Sequence, residues 1–568
     1  MSELDFRSKY EAWLQDPVID DDTKQELRKI AGQPQEIEDR FYKDLEFGTG
    51  GMRGVIGAGT NRVNRYTIGK ASQGLAQYIL RKFSGKNPSA VIAYDSRHCS
   101  DVFALETALV LAGNGIKAYL FESLRPTPEL SFAVRELKAS AGVVITASHN
   151  PPEYNGFKVY NQTGGQLVPD EADQVIAEVA AIQSFGDIRK ADENEAVRAG
   201  LLVRIGDDID RRYADAVTAV SPNAAKLSSW AKDYKVVFTP LHGTGNKPVR
   251  MVLEKLGFKD VLTVPEQEHP DPDFSTVASP NPEEHAAFEM ARKHAESWGA
   301  DIIIGTDPDA DRMGAAVLNS KGEYVNLTGN QSGAIMLHYL LSQLKEQGKL
   351  PANGAVVKTI VTSELGAKVA KSFGLDVYNT LTGFKYIGEL MNKFEKTNSN
   401  QFLFGYEESY GYLAGTYARD KDAVAAAALI CEAGAYYKQQ GKSLYDVLQD
   451  IYKQHGTHLE ELRSLTMKGK AGMEQIRSIM DSWRRSSPAS VASLRVVDVL
   501  DYTQGIDGLP KENVLKFMLE GGSWFCLRPS GTEPKIKIYF AACGSSRQET
   551  ESLLQQMERE VMSKIKPD

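Results

Sequence analysis

Short apolar runs rich in β-branched residues alternate along this chain with longer amphipathic stretches, and this alternation constrains its fold more than any other feature. The pattern is typical of α/β layers, in which buried strands are covered by helices. We predict buried strands at 90–93, 142–145, 235–238, 301–304, 355–360 and 402–404. Several of these runs end in a polar, glycine-bearing loop, and ligands of α/β sheets collect at the carboxyl ends of strands. The polar residues that follow the strands are therefore the candidates for chemistry.

The length of 568 residues corresponds to about three or four domains. Polar, acidic stretches near 187–195 and 206–210 separate a first block from a second, and a predicted hairpin at 318–326 closes the second block. The tail is predicted to be a smaller α+β domain with strands near 514–519, 523–527 and 536–541. Its last helix begins with Ser546 and Glu549 at capping-box spacing. The first three blocks are candidates for divergent copies of one α/β unit.

Composition excludes several classes of protein. The formal net charge of −9 argues against a dedicated nucleic-acid-binding protein, whose footprint is basic. Apolar runs such as 424–431 are far shorter than a membrane span, and the charged first residues lack the apolar stretch of a signal peptide. We expect a cytoplasmic protein that binds neither nucleic acid nor membrane. Its cysteines form no CxxC pair and are predicted to be buried free thiols: Cys99, Cys431, Cys526 and Cys543.

The most specific motif is GTDPDADRMG, which spaces Asp307, Asp309 and Asp311 by two residues. In an extended loop, side chains at this spacing point the same way. Three carboxylates aimed together repel one another unless a cation joins them, and hard oxygen ligands favour magnesium, calcium or manganese. An EF-hand fails, because its required glycine and glutamate would be Arg312 and Leu318. A phosphatase of the haloacid dehalogenase type, with Asp307 as nucleophile, remains the alternative.

A second motif, TASHNP, ends a buried-type strand and contains Ser148 and His149. Alone it is better explained by a structural loop, since it is not the GxSxG elbow of a hydrolase. Beside an acidic metal loop, however, a serine hydroxyl can carry a phosphoryl group whose negative charge the metal offsets. Lys158 supplies a nearby cation, although its local sequence also suits a surface lysine.

Three further motifs suit a sugar phosphate, and each taken alone is also explained by an ordinary turn or strand end. RPSGTEPK, between two predicted strands, offers backbone N–H groups, hydroxyls and a guanidinium to a phosphate. YEESYG pairs an acceptor with a hydroxyl, which suits vicinal sugar hydroxyls. EFGTGGMRG is predicted to be a glycine-rich loop that carries an arginine toward an anion. The residues concerned are Arg528, Ser530, Gly531 and Thr532; Glu407 and Ser409; and Arg53.

Together these motifs resemble those of the α-D-phosphohexomutase family, in the family's order and over nearly the whole chain. TASHNP resembles its phosphoserine loop, DPDADR its magnesium loop, YEESYG its sugar loop and RPSGTEPKIKIY its phosphate loop. The length and the GTGGMRG, PLHGTG and PNPEE segments resemble the longer, phosphoglucomutase-like branch. One departure is Tyr406, where many relatives have glycine before the sugar-loop glutamate.

The resemblance implies four domains around a central cleft. Three are expected to be related α/β units with mixed sheets, and the fourth a smaller α+β domain. Each domain is expected to contribute one loop to the cleft. The expected bounds are 1–205 with the phosphoserine loop, 206–324 with the metal loop, 325–455 with the sugar loop and 456–568 with the phosphate loop.

The resemblance also implies roles for the residues above. Ser148 would be the phosphorylated nucleophile and, with the three aspartates, would bind Mg²⁺. Glu407 and Ser409 would hold sugar hydroxyls, and the four residues of the phosphate loop would hold the phosphate that does not react. The expected reaction interconverts α-D-glucose 1-phosphate and glucose 6-phosphate through glucose 1,6-bisphosphate, with mannose or pentose phosphates as alternatives, in a monomer or homodimer. The basic positions expected near the transfer site are Arg53, His149, Lys158, Arg312 and Lys421.

Overall fold

The computed structural model describes residues 3–48, 50–467, 469–530 and 534–565. Within these ranges the chain forms four sheets, one in each of four successive domains. One buried apolar cluster runs through the first three domains, and the fourth domain has a cluster of its own. None of the helices described is both long enough and apolar enough to span a bilayer.

The first domain is a six-stranded mixed sheet covered by helices. Its strands are β1 (Gly51–Val55), β2 (Ser89–Tyr94), β3 (Lys117–Phe121), β4 (Ala141–Ile145), β5 (Tyr154–Asn161) and β6 (Leu202–Ile205). Its helices are α1 (Glu3–Gln15), α2 (Asp21–Lys29), α3 (Pro34–Phe41), α4 (Arg65–Lys82), α5 (Ser100–Gly113), α6 (Thr127–Glu136), α7 (Pro169–Ala181) and α8 (Glu193–Arg198). The strand order is β1-β5-β4-β2-β3-β6, and β5 runs antiparallel to both of its neighbours.

The second domain is a five-stranded sheet made of β7 (Val236–Thr239), β8 (Val261–Thr263), β9 (Ile302–Thr306), β10 (Met313–Leu318) and β11 (Tyr324–Asn326). The strand order is β11-β10-β9-β7-β8, and β10 runs antiparallel to both of its neighbours. The helices are α9 (Asp207–Thr218), α10 (Ala224–Ala231), α11 (Asn246–Lys255) and α12 (Glu289–Trp298). Every residue of β9 is buried, as expected for a strand covered on both faces. The hairpin of β10 and β11 confirms the predicted turn at 318–326.

The third domain is a four-stranded sheet made of β12 (Gly354–Thr359), β13 (Asp376–Thr380), β14 (Gln401–Glu407) and β15 (Gly411–Ala414). The strand order is β13-β12-β14-β15, and the last pair is antiparallel. Its helices are α13 (Gly329–Glu346), α14 (Glu364–Ser372), α15 (Phe384–Thr397), α16 (Ala423–Lys438) and α17 (Leu444–His455). Helix α13 begins at a capping box in which the Thr328 and Gln331 side chains each bind the other's backbone N–H.

The fourth domain is a six-stranded antiparallel sheet with two helices. Its strands are β16 (Thr457–Thr466), β17 (Ser490–Val491), β18 (Leu494–Asp501), β19 (Leu515–Leu519), β20 (Trp524–Pro529) and β21 (Lys535–Gly544). Its helices are α18 (Gly469–Arg485) and α19 (Arg547–Ile565). Ser546 caps α19 through the N–H of Glu549, but the Glu549 carboxylate returns to Ser545 and not to Ser546, so half of the predicted capping box forms.

The first three sheets share one arrangement. In each, a buried strand (β4, β9 or β14) has a parallel neighbour on one side and an antiparallel neighbour, the next strand of the chain, on the other. The connecting loops carry TASHNP, DPDADR and the end of YEESYG, and each contains one non-glycine residue with positive φ: Ser148 (54°), Ala310 (49°) and Tyr410 (64°). Such backbone strain is concentrated at functional loops. The three loops are therefore equivalent parts of three related units.

The predicted fold class and all six predicted strands of the first three domains are confirmed. The predictions for Cys99 and Arg53 are wrong. Cys99 is exposed, because it lies at the N-terminus of α5, although the other three thiols are fully or partly buried and all four are free. Arg53 lies within β1, since Gly51–Val55 pairs with β5 instead of forming a loop. The domain bounds given above stay predictions.

Candidate active site

Ser148 lies in the loop that follows β4, and only 4% of its surface is exposed. Its hydroxyl donates a hydrogen bond to Asp307 Oδ2 at 2.8 Å, which joins the serine loop of the first domain to the aspartate loop of the second. The Ser148 N–H donates to Thr146 Oγ1 at 2.8 Å and fixes the turn. The ring of His149 reaches back so that its Nδ1 lies 3.5 Å from Ser148 Oγ. The serine is thus held between an imidazole and a carboxylate.

Arg97, from the polar loop after β2, holds the serine loop in shape. Its fully buried guanidinium donates to the carbonyl oxygens of Ser148 (2.6 Å), Pro151 (2.8 Å) and Tyr154 (3.1 Å), and also to that of Asn150. One rigid fork therefore satisfies four carbonyls of a strained loop. Sequence reasoning missed this residue, although its loop YDSRH follows a predicted strand.

The three aspartates lie in the loop between β9 and β10 and are almost completely buried. Their ligand oxygens all lie within 4.8 Å of one another. The loop is a turn and not the extended segment expected from the spacing: the N–H of Ala310 donates to the carbonyl of Asp307, and Asp307 Oδ1 accepts from the N–H groups of Asp311 and Arg312. The predicted convergence of carboxylates is found, but the turn produces it.

Two lysines partly neutralise the aspartates. Lys158 Nζ lies 2.7 Å from Asp309 Oδ2, and Lys421 Nζ lies 2.8 Å from Asp311 Oδ2. Burial would raise the pKa of Asp309, but Lys158 and Lys421 hold it below its usual value. Burial and the negative charges of Asp311 and Asp309 raise the pKa of Asp307 well above its usual value. Asp309 and Asp311 are thus each paired with a lysine, and Asp307 is the carboxyl of the three that lacks one.

Arg53 and Lys158 reach the same face of the first sheet. In the antiparallel register, Arg53 pairs with Gly156 and Gly51 pairs with Lys158, so both cations project to one side. Arg53 Nη1 donates to Asn150 Oδ1 at 3.0 Å, beside the serine loop. Arg312, which follows the aspartates, forms an ion pair with Glu283. All five predicted basic residues, including His149 and Lys421, line one cavity beside Ser148.

The sugar-loop candidates line one wall of the cleft. Glu407 ends β14 and is 7% exposed, and its Oε1 accepts from the N–H of Gly383 at 2.8 Å. Ser409 lies in the following turn. Tyr406 points away from this wall into the core, where Gly333 and Gly366 leave room for its ring. Its substitution for glycine therefore lies outside the cleft.

Residues of the phosphate loop come from the β20–β21 hairpin of the fourth domain. Arg528 pairs directly across the hairpin with Lys537, so two cations face the cleft from neighbouring strands. The Ser530 N–H donates to Lys535 O at 2.7 Å and begins the turn. Gly531 and Thr532, also predicted here, lie outside the described residues.

Two adjoining cavities link these groups. The inner cavity has a volume of about 300 Å³ and is lined by Arg53, Ser148 and Lys158, among others. The outer cavity has a volume of about 710 Å³ and reaches Glu407, Ser409 and the Arg528–Lys537 pair. The residues that line both are His149, Gln166, Arg312 and Lys421. A single cleft therefore joins the serine loop to the sugar and phosphate loops.

Sequence reasoning missed Lys537, Gln166 and Glu283 besides Arg97. Lys537 belongs to the quoted KIKIY segment, and Glu283 to PNPEE, so both stood in motifs whose position was noticed but whose role was not. Gln166 lines both cavities, but nothing in its local sequence distinguishes it from a surface glutamine. Only the tertiary arrangement identifies it.

Glu407 predicts a pH-dependent stability. Burial raises its pKa to about 7, and neighbouring Glu408 adds to this while Lys421 and Arg312 oppose it. A carboxyl with a higher pKa in the folded state binds its proton more tightly when folded, so its contribution to stability falls as pH rises from about 4.5 to about 7. We expect Glu407→Gln to match the native chain near pH 4 and to be more stable by up to roughly 3 kcal/mol at pH 8.

Urea unfolding at the two pH values measures this difference, and Gln keeps the oxygen that accepts from Gly383. An equal difference in unfolding free energy between the two chains at pH 4 and pH 8 would contradict this expectation, because it would show that Glu407 has the same pKa in the folded and unfolded states.

Comparison with known proteins agrees with this arrangement. Relatives named phosphoglucomutase from Staphylococcus haemolyticus and Staphylococcus saprophyticus are 39% and 37% identical, covering 89% and 88% of this chain and 91% of each relative. Among solved structures, parafusin (phosphoglucomutase) from Paramecium matches with a TM-score of 0.72 and 18% identity, covering 92% of this chain and 95% of that one. A putative phosphomannomutase from Thermus thermophilus matches with a TM-score of 0.68 and 23% identity, covering 92% and 99%. At these identities the structural matches show the fold.

Family models match most of the chain. They describe phosphoglucomutase/phosphomannomutase α/β/α domains I, II and III and the C-terminal domain, at residues 44–185, 211–321, 328–455 and 465–560. The four matches follow one another in order and each contains one of the four loops. The chain is therefore a member of the phosphoglucomutase/phosphomannomutase family, the α-D-phosphohexomutases.

Proposed function

We propose that this protein is a phosphoglucomutase, which interconverts α-D-glucose 1-phosphate and glucose 6-phosphate through a phosphorylated Ser148. In the first step the phosphoserine gives its phosphoryl group to the free hydroxyl of the hexose monophosphate and forms glucose 1,6-bisphosphate. The bisphosphate turns end for end in the cleft. Its other phosphoryl group then returns to the Ser148 oxygen, and the isomeric monophosphate leaves.

The observation that carries this proposal is the position of the Ser148 hydroxyl. It lines the inner cavity and at the same time contacts Asp307 of the buried aspartate group. Phosphoryl transfer requires a nucleophile in line with the phosphorus and charge neutralisation on the phosphate oxygens. Arg53, Lys158 and Lys421 line the same cavity and supply positive charge there.

The alternative nucleophile, Asp307, is placed unfavourably. Both of its carboxylate oxygens are engaged: Oδ1 accepts two backbone N–H bonds, and Oδ2 accepts from Ser148. Asp307 is completely buried and lines neither cavity, whereas Ser148 does. Ser148 is therefore favoured over an aspartyl-phosphate mechanism.

The aspartate group fits a divalent cation. Asp309 Oδ1 and Asp311 Oδ1 are buried and have no hydrogen-bond partner, which leaves two hard oxygen donors beside the Asp307–Ser148 contact. We propose that Asp307, Asp309, Asp311 and the Ser148 oxygen hold Mg²⁺, whose preference is for such oxygen ligands. When bound, the ion would offset negative charge on the transferring phosphoryl group.

Other residues would bind substrate and move protons. We assign proton transfer with the attacking hydroxyl to His149, because it lines both cavities while Lys158 and Lys421 are engaged with Asp309 and Asp311. Glu407 would accept hydrogen bonds from sugar hydroxyls, and the Ser409 hydroxyl would both donate and accept.

The phosphate that is not reacting would bind the fourth domain. Arg528 and Lys537 offer two cations at the far end of the outer cavity, with Ser530 beginning the loop. An Arg fork suits a phosphate group because it donates two parallel hydrogen bonds. Gly531 and Thr532 of the same loop are proposed to join this contact on the resemblance alone.

Glucose phosphate is the proposed substrate because the relatives that cover most of this chain are named phosphoglucomutases. Glucose and mannose differ only at position 2, so contacts from Glu407 and Ser409 to the hydroxyls at positions 3 and 4 would not distinguish the two sugars. Mannose and pentose phosphates are therefore the comparison substrates. The cytoplasmic location and the monomeric or dimeric state stay predictions.

The test is turnover of glucose 1-phosphate, mannose 1-phosphate and ribose 1-phosphate with Mg²⁺ and a trace of the matching bisphosphate. We expect kcat/KM to be highest for glucose 1-phosphate. Inactivity on all three substrates would contradict a mutase of this family. Release of inorganic phosphate without any isomeric sugar monophosphate would indicate a phosphatase instead.

A further inference from the structure

The helices α1, α2 and α3 precede the region matched by the family models, which begins at residue 44. They are nevertheless packed against the first domain through a buried aromatic cluster that includes Trp13, Phe41 and Tyr66. Between residues 43 and 65 the chain runs over these helices, and this stretch contains β1 with Arg53. The helices therefore pack against the segment that brings Arg53 to the serine loop.

One contact between these helices and the segment is made by a pair of side chains that binds the backbone of Ala58. Arg40 Nη1 donates to Ala58 O at 3.1 Å, and Glu26 Oε1 accepts from Ala58 N at 3.1 Å. The two side chains are also paired with each other at 2.5 Å. Ala58 is 1% exposed, so its backbone groups need partners inside the protein. We call this arrangement the Arg40–Glu26 clamp.

Further contacts hold the turn at 58–61 against α3, and they leave no room for a side chain at Gly59. The N–H of Asn61 donates to Arg40 O at 2.9 Å. Gly59 has φ +133°, and a Cβ there would lie 2.8 Å from the same carbonyl oxygen. Backbone and helix thus approach as closely as a glycine permits.

The turn is connected directly to the strand of Arg53. Strand β1 is at the edge of its sheet and pairs with β5 on one side only. Where β1 ends, the turn folds back so that the Val63 N–H donates to Val55 O at 2.8 Å. Two residues before Val55, the Arg53 side chain reaches Asn150 beside the nucleophile. The free edge of β1 is thus anchored through the clamped turn.

We propose that the Arg40–Glu26 clamp positions Arg53 at the site of phosphoryl transfer, and that Arg40 is a positioning residue for the reaction. This inference rests on the proposed function. Arg40 itself contacts no reacting group, so its effect passes through β1. Displacement of a catalytic cation by about an ångström is enough to lower a rate substantially.

A double-mutant cycle in kcat tests this role. We expect Arg40→Ala to lower kcat about tenfold in the native background and by less than about twofold in the Arg53→Ala background. A residue that only stabilises the domain would lower the active fraction equally in both backgrounds. An equal loss in the two backgrounds, or no loss in the first, would overturn the proposal.

Two further variants serve as controls. Glu26→Gln keeps the oxygen that accepts from Ala58 but removes the ion pair, and we expect a kcat loss of about threefold that is also absent without Arg53. It is nearly isosteric, so it tests the proposal if Arg40→Ala does not fold. Arg204→Ala removes an ion pair with Glu193 at β6, the opposite edge of the same sheet, and should leave kcat unchanged.

Amide hydrogen exchange measures the coupling between the Arg40–Glu26 clamp and β1 without an activity assay. We expect Arg40→Ala to speed exchange in 51–55 while 141–145 stays as in the native chain. If the native chain turns over no hexose phosphate, the proposed function fails but this measurement still tests the clamp. Unchanged exchange in 51–55 would show that the clamp does not hold β1.

Discussion

Replacing Ser148 with alanine lowers kcat for conversion of glucose 1-phosphate to glucose 6-phosphate by about 10⁴-fold or more, with the fold unchanged. Removal of the atom that carries the transferred group leaves no covalent route, and losses of this size follow deletion of a catalytic nucleophile. The Ser148 hydroxyl donates one hydrogen bond to Asp307, so its removal perturbs the fold little. Coupled turnover assays and circular dichroism measure the two effects.

The matched control is Ser297→Ala, which removes an exposed hydroxyl that donates to His294 O at the end of α12. We expect native kcat for this variant. Turnover by Ser148→Ala within about tenfold of the native rate would contradict the phosphoserine mechanism.

Replacing Asp311 with asparagine lowers the affinity for Mg²⁺ by at least about 100-fold and lowers kcat at subsaturating Mg²⁺ to a similar degree. Asp311 Oδ1 is a buried oxygen without a hydrogen-bond partner, and its Oδ2 pairs with Lys421. Asparagine removes one negative charge from the ligand set and leaves the buried Lys421 ammonium less well paired. Isothermal titration with MgCl₂ and the dependence of kcat on Mg²⁺ measure both effects.

Asp173→Asn, on the exposed side of α7, is the control for a general change in charge and should leave both values as they are. An Mg²⁺ affinity equal to that of the native chain in Asp311→Asn would show that Asp311 is not a ligand.

The fold and the loops were predictable because each signal is local. Runs such as 142–145 and 301–304 are long enough and apolar enough to be buried strands, and the polar residues that follow them fall at strand ends whatever the rest of the chain does. The family resemblance then ordered the loops around one cleft. That step needed no side-chain geometry. The structure places Ser148, Asp311 and Glu407 at the lining of the two adjoining cavities, and the roles of these residues stay predictions.

The parts that were not predicted depend on contacts between distant segments. Arg97 contacts carbonyls more than fifty residues away, and no local pattern encodes this. The aspartates converge because Asp307 Oδ1 caps a turn, whereas their spacing alone suggested an extended loop. Arg53 was predicted to lie in a loop because the segment around it is rich in glycine, which is uncommon in strands. The segment nevertheless pairs with β5, and Gly51 adopts φ 114° at the start of β1.

Three related units, each with one loop, were expected from the sequence, but the strand connection that the three loops share was not. Each loop joins a buried strand to an antiparallel neighbour, and each contains one strained residue at a different place in its motif. Divergent sequences therefore keep the connection while the polar groups of the loop change from a hydroxyl, to three carboxylates, to a glutamate and a serine. Related units arranged around one cleft can in this way supply three different functions.

The phosphoserine is tested most directly by mapping the phosphate on the protein after incubation with glucose 1,6-bisphosphate and Mg²⁺. Tandem mass spectrometry of the digested chain should locate one phosphoryl group on Ser148, stable to hydroxylamine and removed when excess glucose 1-phosphate is added. A hydroxylamine-labile phosphate on the peptide that contains Asp307, or no phosphate on the protein at all, would contradict the mechanism proposed here.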